Sequence, residues 1–204
     1  EWTDRLKYAL QFVKTKYVFL TLDDYFLIKP VSSARIEQYV DLMEHGGYDY
    51  IRFFKRPKSA TRDELSDFKG VYNVDNSHMY SVNLYSCLWT KEFLAYTVKE
   101  PRTPWDYEVN LHKRAMEYNA KCLVCLNKEY EILDVVRKGK LLHKANWYFK
   151  WHPGIYNGNR EVQSWWYEIK LFFKTEINRH CPNFMRDTLR DIYVKCGGTT
   201  FVKK

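Results

Sequence analysis

The run Lys16-Tyr-Val-Phe-Leu-Thr-Leu22 is nearly continuous in apolar residues and ends directly on two acids, Asp23-Asp24. A short unbroken apolar run that stops at turn-forming residues predicts a strand covered on both faces, as in sheets flanked by helices. The flanking sequence agrees. Residues 2–15 read as a helix that Thr3 can cap, with Trp2, Leu6, Ala9, Leu10 and Val13 at helical spacing. A second helix is predicted over about 33–45, with Ile36, Tyr39, Val40 and Met43 on its apolar face and Gly46-Gly47 ending it. Tyr48 to Phe54 reads as the next strand. Helix–strand–helix–strand alternation predicts an α/β domain.

Further along, 55–70 is a charged loop and 78–89 one or two strands. Helices are predicted over about 91–99 and from Thr103-Pro104 onward, and strands over 121–126 and about 130–136. From Asn159 the chain reads as mostly helical, with Val162, Trp166, Ile169 and Phe173 on one stripe. The expected organisation is a catalytic domain over 1–158 and a helical C-terminal extension over 159–204 packed on it.

With 204 residues the chain can bury a full-sized core. It has no apolar run of about 18 residues, so no membrane-spanning helix is expected, and its polar opening is not a signal peptide. Five cysteines (Cys87, Cys122, Cys125, Cys181, Cys196) are an odd number in a chain that needs no staples. This predicts a reducing, cytoplasmic setting. Cys122-x-x-Cys125 lies in an apolar strand, where positions three apart face opposite sides, and so reads as core. The net charge of +8 and an aromatic content of 18% suit nucleic acid, anionic lipid or sugar phosphates. For nucleic acid the basic residues would need to form a stripe, yet acids interleave them throughout.

Two sets of acids draw attention. Ligands of open α/β sheets bind beyond the carboxyl ends of the strands, where Asp23-Asp24 sits. Adjacent carboxylates there repel unless compensated, and a divalent metal on a diphosphate would do so. The competing reading is a loop that opens with turn-favouring Asp. In the segment Thr103-Pro-Trp-Asp-Tyr-Glu108, Thr103 is a good N-cap, and Asp106 at the third helical position complements the helix dipole. A wheel places Asp106 on a solvated face with Asn110 and Lys113, and Glu108 among Trp105, Leu111, His112 and Ala115. Burial raises a carboxyl pKa, so Glu108 is a candidate general base. Alternatively it pairs with His112 one turn on.

The stretches "KYVFLTLDDYFLIKPV", "SVNLYSCLW", "KEFLAYTVKEPRTPWDYE" and "VRKGKL" resemble bacterial GT-A fold glycosyltransferases of surface-polysaccharide biosynthesis, over roughly residues 1–145. The resemblance implies a GT-A-like (Rossmann-like) mixed sheet flanked by helices, with a helical C-terminal tail. It implies transfer of a sugar from a nucleotide-diphosphate sugar, UDP most readily, to a hydroxyl of a glycan or lipid-linked acceptor, inverting rather than retaining. Asp24, with Asp23, would take the DxD role of holding Mn²⁺ or Mg²⁺ and the diphosphate, although Leu22 stands where the first Asp of a strict DxD would be. Glu108, with Asp106 beside it, would be the carboxylate at the helix start that acts as base on the acceptor hydroxyl. Arg137, Lys138 and Lys140 would close over the diphosphate, His143 would be a further metal ligand, and Trp89 or Trp105 (or Trp147) would stack on sugar rings. Such domains open with a strand–helix–strand unit before the acid-bearing strand, so the resemblance also implies an N-terminally incomplete domain. The aromatic, basic tail helix can contact an anionic membrane, which would place the protein at the inner face of the membrane. The rival readings are a basic, aromatic-rich nucleic-acid-binding protein and a non-catalytic glycosyltransferase-like partner subunit.

Overall fold

A computed structural model describes residues 1–180 except 101, 128 and 129. The described residues form a mixed α/β structure with six helices and a six-stranded mixed sheet. By internal contacts the chain divides into two units, 1–133 and 134–204. Within the second unit, residues 137–143 bond to residues 161–168. Leu141 N–H donates to Glu161 O, Gln163 N–H to Leu141 O, and Gln163 Nε2 to Arg137 O.

In the first unit the elements run α1 (Trp2–Leu10), β1 (Tyr17–Leu20), β2 (Tyr25–Leu27), α2 (Ser33–Gly46), β3 (Tyr50–Arg52), β4 (Thr61–Glu64) and β5 (Val71–Val74). They continue with β6 (Cys87–Thr90), α3 (Lys91–Thr97), α4 (Pro104–Tyr118), β7 (Cys122–Cys125) and β8 (Ile132–Asp134), whose last residue crosses the boundary. The large sheet has the order β1-β6-β3-β7-β5-β4, with β3 and β7 parallel and the other pairs antiparallel. β2 pairs with β8 in a separate ribbon.

Strand alternation builds the core. Tyr50, Cys87, Trp89 and Cys122 point to one face, where Leu10, Phe93, Leu94, Tyr107 and Leu111 of α1, α3 and α4 meet them. Ile51, Leu88, Leu123 and Cys125 point to the other, against Tyr39 and Met43 of α2. Cys122 and Cys125 are thus buried core thiols on opposite faces. The helix ends follow local chemistry. Ser32 accepts from Arg35 N–H to start α2, and Gly47 ends it in the left-handed region at φ 63. Thr103 caps α4, Pro104 is its first residue, and Asn119 closes it at φ 59.

Several expectations need correction. Thr3 does not cap α1. It is buried, donates to Glu100 O and accepts from Arg102 N–H, which ties the helix to the loop before α4. β1 is half-buried at a sheet edge, yet both its faces are covered as expected, Val18 and Leu20 packing on one core and Tyr17 and Phe19 on the other. The charged 55–70 segment contains β4, and most of 78–89 is irregular, with only Cys87–Thr90 extended.

In the second unit, β9 (Val136–Arg137) and β10 (Lys140–Leu141) form a hairpin. Its two turn residues, Lys138 (φ 50) and Gly139 (φ 77), take the positive φ values of a tight primed turn. α5 (His143–Trp151) and α6 (Trp165–His180) follow. α5 was not expected from the sequence. Val162 bridges to Leu141 instead of belonging to the tail helix.

Candidate functional site

At the carboxyl end of β1 the chain leaves the sheet through Thr21 and Leu22 into Asp23-Asp24. Asp23 is exposed and Asp24 half-buried. Antiparallel β6 begins beside it, so the segment entering β6, Leu84-Tyr85-Ser86, lies along the same rim. Ser86 Oγ hydrogen-bonds Thr21 Oγ1 at 3.0 Å, and the Tyr85 ring lies 4.4 Å from that of Tyr25, just past the acid pair. Tyr85 also stacks on Phe54, at 4.2 Å. One residue earlier, Leu84 N–H donates to Glu108 Oε1 at 3.2 Å. Three consecutive residues therefore connect the surroundings of Asp23-Asp24 with the carboxylate of Glu108.

The segment is irregular yet buried, so its polar groups need internal partners. Tyr50 Oη accepts from Asn83 N–H and donates to Asn83 O, both at 3.2 Å, and Asn83 Oδ1 accepts from Tyr85 N–H. Arg52, fully buried at the end of β3, donates to the carbonyls of Arg56 (2.6 Å), Pro57 (3.0 Å) and Tyr80 (3.3 Å). Tyr80 holds φ at 63, a left-handed conformation that costs an ordinary residue about 1–2 kcal/mol. Its carbonyl is one of the acceptors of Arg52.

Glu108 is half-buried, and burial raises its carboxyl pKa, partly offset by the Leu84 N–H bond. The alternative pairing with His112 does not form. His112 is buried in α4, with burial lowering its pKa. Tyr80 lies close enough for the Glu108 charge to add to burial in raising its phenol pKa. Cys87, on the same loop, is pushed up to about 12, chiefly by burial, and is a thiol rather than a nucleophilic thiolate at neutral pH.

Asp106 serves the helix start. It is exposed, accepts from Thr103 Oγ1 at 2.8 Å, and its N–H donates back to Thr103 Oγ1. Trp105, three residues before Glu108 in α4, is 64% exposed. Trp89 requires correction. It is 0% exposed, packs edge-on to Tyr50 at 4.5 Å and donates Nε1–H to Cys87 Sγ, so it is a core residue and not a stacking platform.

The other candidates belong to the second unit. Arg137 is paired with Asp134 (3.0 and 2.6 Å) and Lys140 with Glu161 (2.7 Å), while Lys138 Nζ stands 5.6 Å from the Tyr167 ring centroid and meets no carboxylate among the described residues. His143 donates its backbone N–H to Glu168 Oε1, its Nδ1 lies 2.8 Å from the same oxygen, and its ring stacks on Trp165. Glu168 thereby supplies negative charge to the N-terminus of α5.

Among the described residues no group of three or more His, Cys, Asp and Glu is placed to hold a metal. Asp23-Asp24 offers one or two hard oxygen ligands, which fits a cation that shares its shell with a diphosphate and does not fit an all-protein cage. The larger of two described cavities, about 430 Å³, lies at the amino end of β1 among Lys16, Glu44, Asp49, Thr90 and Glu92, the strand end opposite the acid pair. The carboxyl of Asp49 there is raised by burial and accepts from Lys121 N–H, joining the entries to β3 and β7.

The sequence reading missed Thr21, Tyr25, Phe54, Tyr85 and Ser86, which complete the rim. An aromatic directly after the acid pair was the available signal. No family model matches the chain, and no curated protein matches it.

Proposed function

We propose that the chain is a GT-A-like glycosyltransferase, moving a sugar from a nucleotide-diphosphate sugar, with UDP the expected nucleotide, to a hydroxyl of a glycan or lipid-linked acceptor with inversion. The observation that carries this reading is the Leu84–Ser86 segment, which ties a half-buried, pKa-raised carboxylate to the rim bearing the acid pair of exposed Asp23 and half-buried Asp24. A mixed sheet with helices on both faces and acids beyond a carboxyl strand end supports the same architecture.

Asp24 and Asp23 would hold Mn²⁺ or Mg²⁺ against the diphosphate, and the bound cation would neutralise the leaving group's charge. Glu108 takes the proton from the acceptor hydroxyl as that oxygen attacks the anomeric carbon and the bond to the diphosphate breaks. Its raised pKa brings its basicity closer to neutral pH. The Leu84 N–H fixes the carboxylate's orientation, and exposed Trp105 offers a face on which an acceptor ring stacks. Arg137, Lys138 and Lys140 would supply positive charge to the diphosphate, and of the three Lys138 meets no carboxylate among the described residues.

Calorimetric titration of the full-length protein with UDP, GDP and CMP, with and without Mn²⁺, tests the reading. The expected result is Mn²⁺-dependent binding of UDP that Asp24→Ala abolishes. Absence of binding by all three nucleotides in both conditions overturns it.

A further inference from the structure

The net charge is unevenly distributed. Residues 1–133 hold 19 Lys+Arg against 19 Asp+Glu, whereas residues 134–204 hold 14 against 6, which is the whole excess of +8. Exposed large apolar side chains follow the same division. Of fifteen among the described residues, nine lie between Trp147 and Phe173. Cations and exposed aromatics therefore coincide in the second unit.

α6 shows how they are arranged. At 100° per residue, Trp165, Trp166, Ile169, Phe172 and Phe173 fall on one side of the helix, and the four aromatic residues are 59–66% exposed. Tyr167, Glu168, Leu171 and Thr175, on the other side, are half-buried, and Glu168 bonds to His143 at the start of α5. The helix thus presents its apolar stripe outward, the reverse of a helix that packs its apolar face on a core. Lys170 borders the stripe, with Nζ 5.5 Å from the Trp166 ring centroid. α5 adds Trp147 and Trp151, one turn apart and exposed, with exposed Lys144 one turn before them.

We propose that the outward face of α6 docks on an anionic lipid bilayer, lying in the plane of the interface with its aromatic rings among the headgroups and the basic unit held to lipid phosphates. Trp and Phe beside Lys, on a unit carrying all of the net positive charge, match the chemistry of that boundary. An apolar partner surface would account for the aromatics but not for the charge. The helix lies on the membrane and does not cross it, since no helix among the described residues is long and apolar enough to span a bilayer. The proposal is independent of sugar transfer.

The test is flotation of the full-length protein with vesicles of phosphatidylcholine alone and of equimolar phosphatidylcholine and phosphatidylglycerol, at low and high salt. Sedimentation velocity without lipid runs in parallel. The account expects flotation with the phosphatidylglycerol vesicles only, weakened by salt, and reduced more than about tenfold in Trp166→Ala/Phe172→Ala. Both side chains are exposed, so the variant should keep the wild-type circular dichroism and melting temperature, and Lys138→Ala/Lys170→Ala gives a second, purely electrostatic reading. Equal flotation with both vesicles, flotation unchanged in both variants, or no flotation at all overturns the proposal. So does a concentration-dependent dimer that Trp166→Ala/Phe172→Ala dissociates, which would assign the face to a second copy.

Discussion

Arg52→Met sets two large effects against each other. Arg52 is fully buried and, among the described residues, meets no carboxylate, so its guanidinium bears an uncompensated desolvation cost, visible in a pKa lowered first by burial. Against this it makes three charge-assisted bonds to the carbonyls of Arg56, Pro57 and Tyr80. Leaving a partly buried acceptor unpaired costs about 1–2 kcal/mol, so three lost bonds cost about 3–6 kcal/mol. Methionine fills much of the stem's volume and recovers about 2 kcal/mol of the desolvation. The expected net loss is about 1–4 kcal/mol, or roughly 2–16 °C in Tm for a chain of this size. Thermal and urea unfolding of the full-length protein measure it. Arg52→Lys should fall between, because one ammonium cannot reproduce the planar fork. A variant as stable as wild type would refute the reasoning, since it would show that the buried charge costs as much as its bonds contribute. Because Tyr80 is one of the acceptors, the same substitution should loosen the loop that presents Leu84 N–H to Glu108.

Glu108→Gln should stabilise the fold at neutral pH. Burial raises the folded carboxyl pKa, so the contribution of Glu108 is fully present below its ordinary pKa and lost as pH rises through the raised one. A permanently neutral amide that still accepts from Leu84 N–H escapes that loss. The Tm difference should be positive at pH 7 and shrink toward acid, and a Gln variant less stable at pH 7 than at pH 4 relative to wild type would contradict it. Trp89→Ala should cost about 3–5 kcal/mol and Trp105→Ala stay within about 0.5 kcal/mol, both read by denaturant unfolding. Gly47→Ala should lose about 1 kcal/mol because the helix cap needs φ 63.

Where local chemistry decided the structure, the sequence was readable. Gly47 closes α2, Thr103-Pro104 opens α4, and the apolar run over Tyr17–Leu20 is a strand that leads into the acid pair. The reading failed where tertiary partners replace a pattern. Residues 78–86 are apolar enough for a strand, but Tyr50, Arg52 and Asn83 satisfy their backbone in an irregular path. Burial of Arg52 overrides the ordinary rule that arginine faces solvent, although a lone cation inside Tyr-Ile-Arg-Phe-Phe was a warning. Trp89 is buried rather than a sugar platform because a tryptophan's side of a strand depends on register, which the sequence alone does not carry. α5 was hidden because its aromatic residues occupy both the buried and the exposed face. Glu108 was legible because α4 is regular, but its partner, Leu84 N–H, is 24 residues away and belongs to no motif.

The claim that Glu108 and the acid pair form one reaction site is tested most directly by UDP release from a panel of UDP-sugars in Mn²⁺, comparing wild type with Glu108→Gln at matched UDP affinity. The account predicts unchanged UDP binding and a release rate lowered by about 10²–10⁴-fold in the variant. Equal release by the two proteins would contradict it.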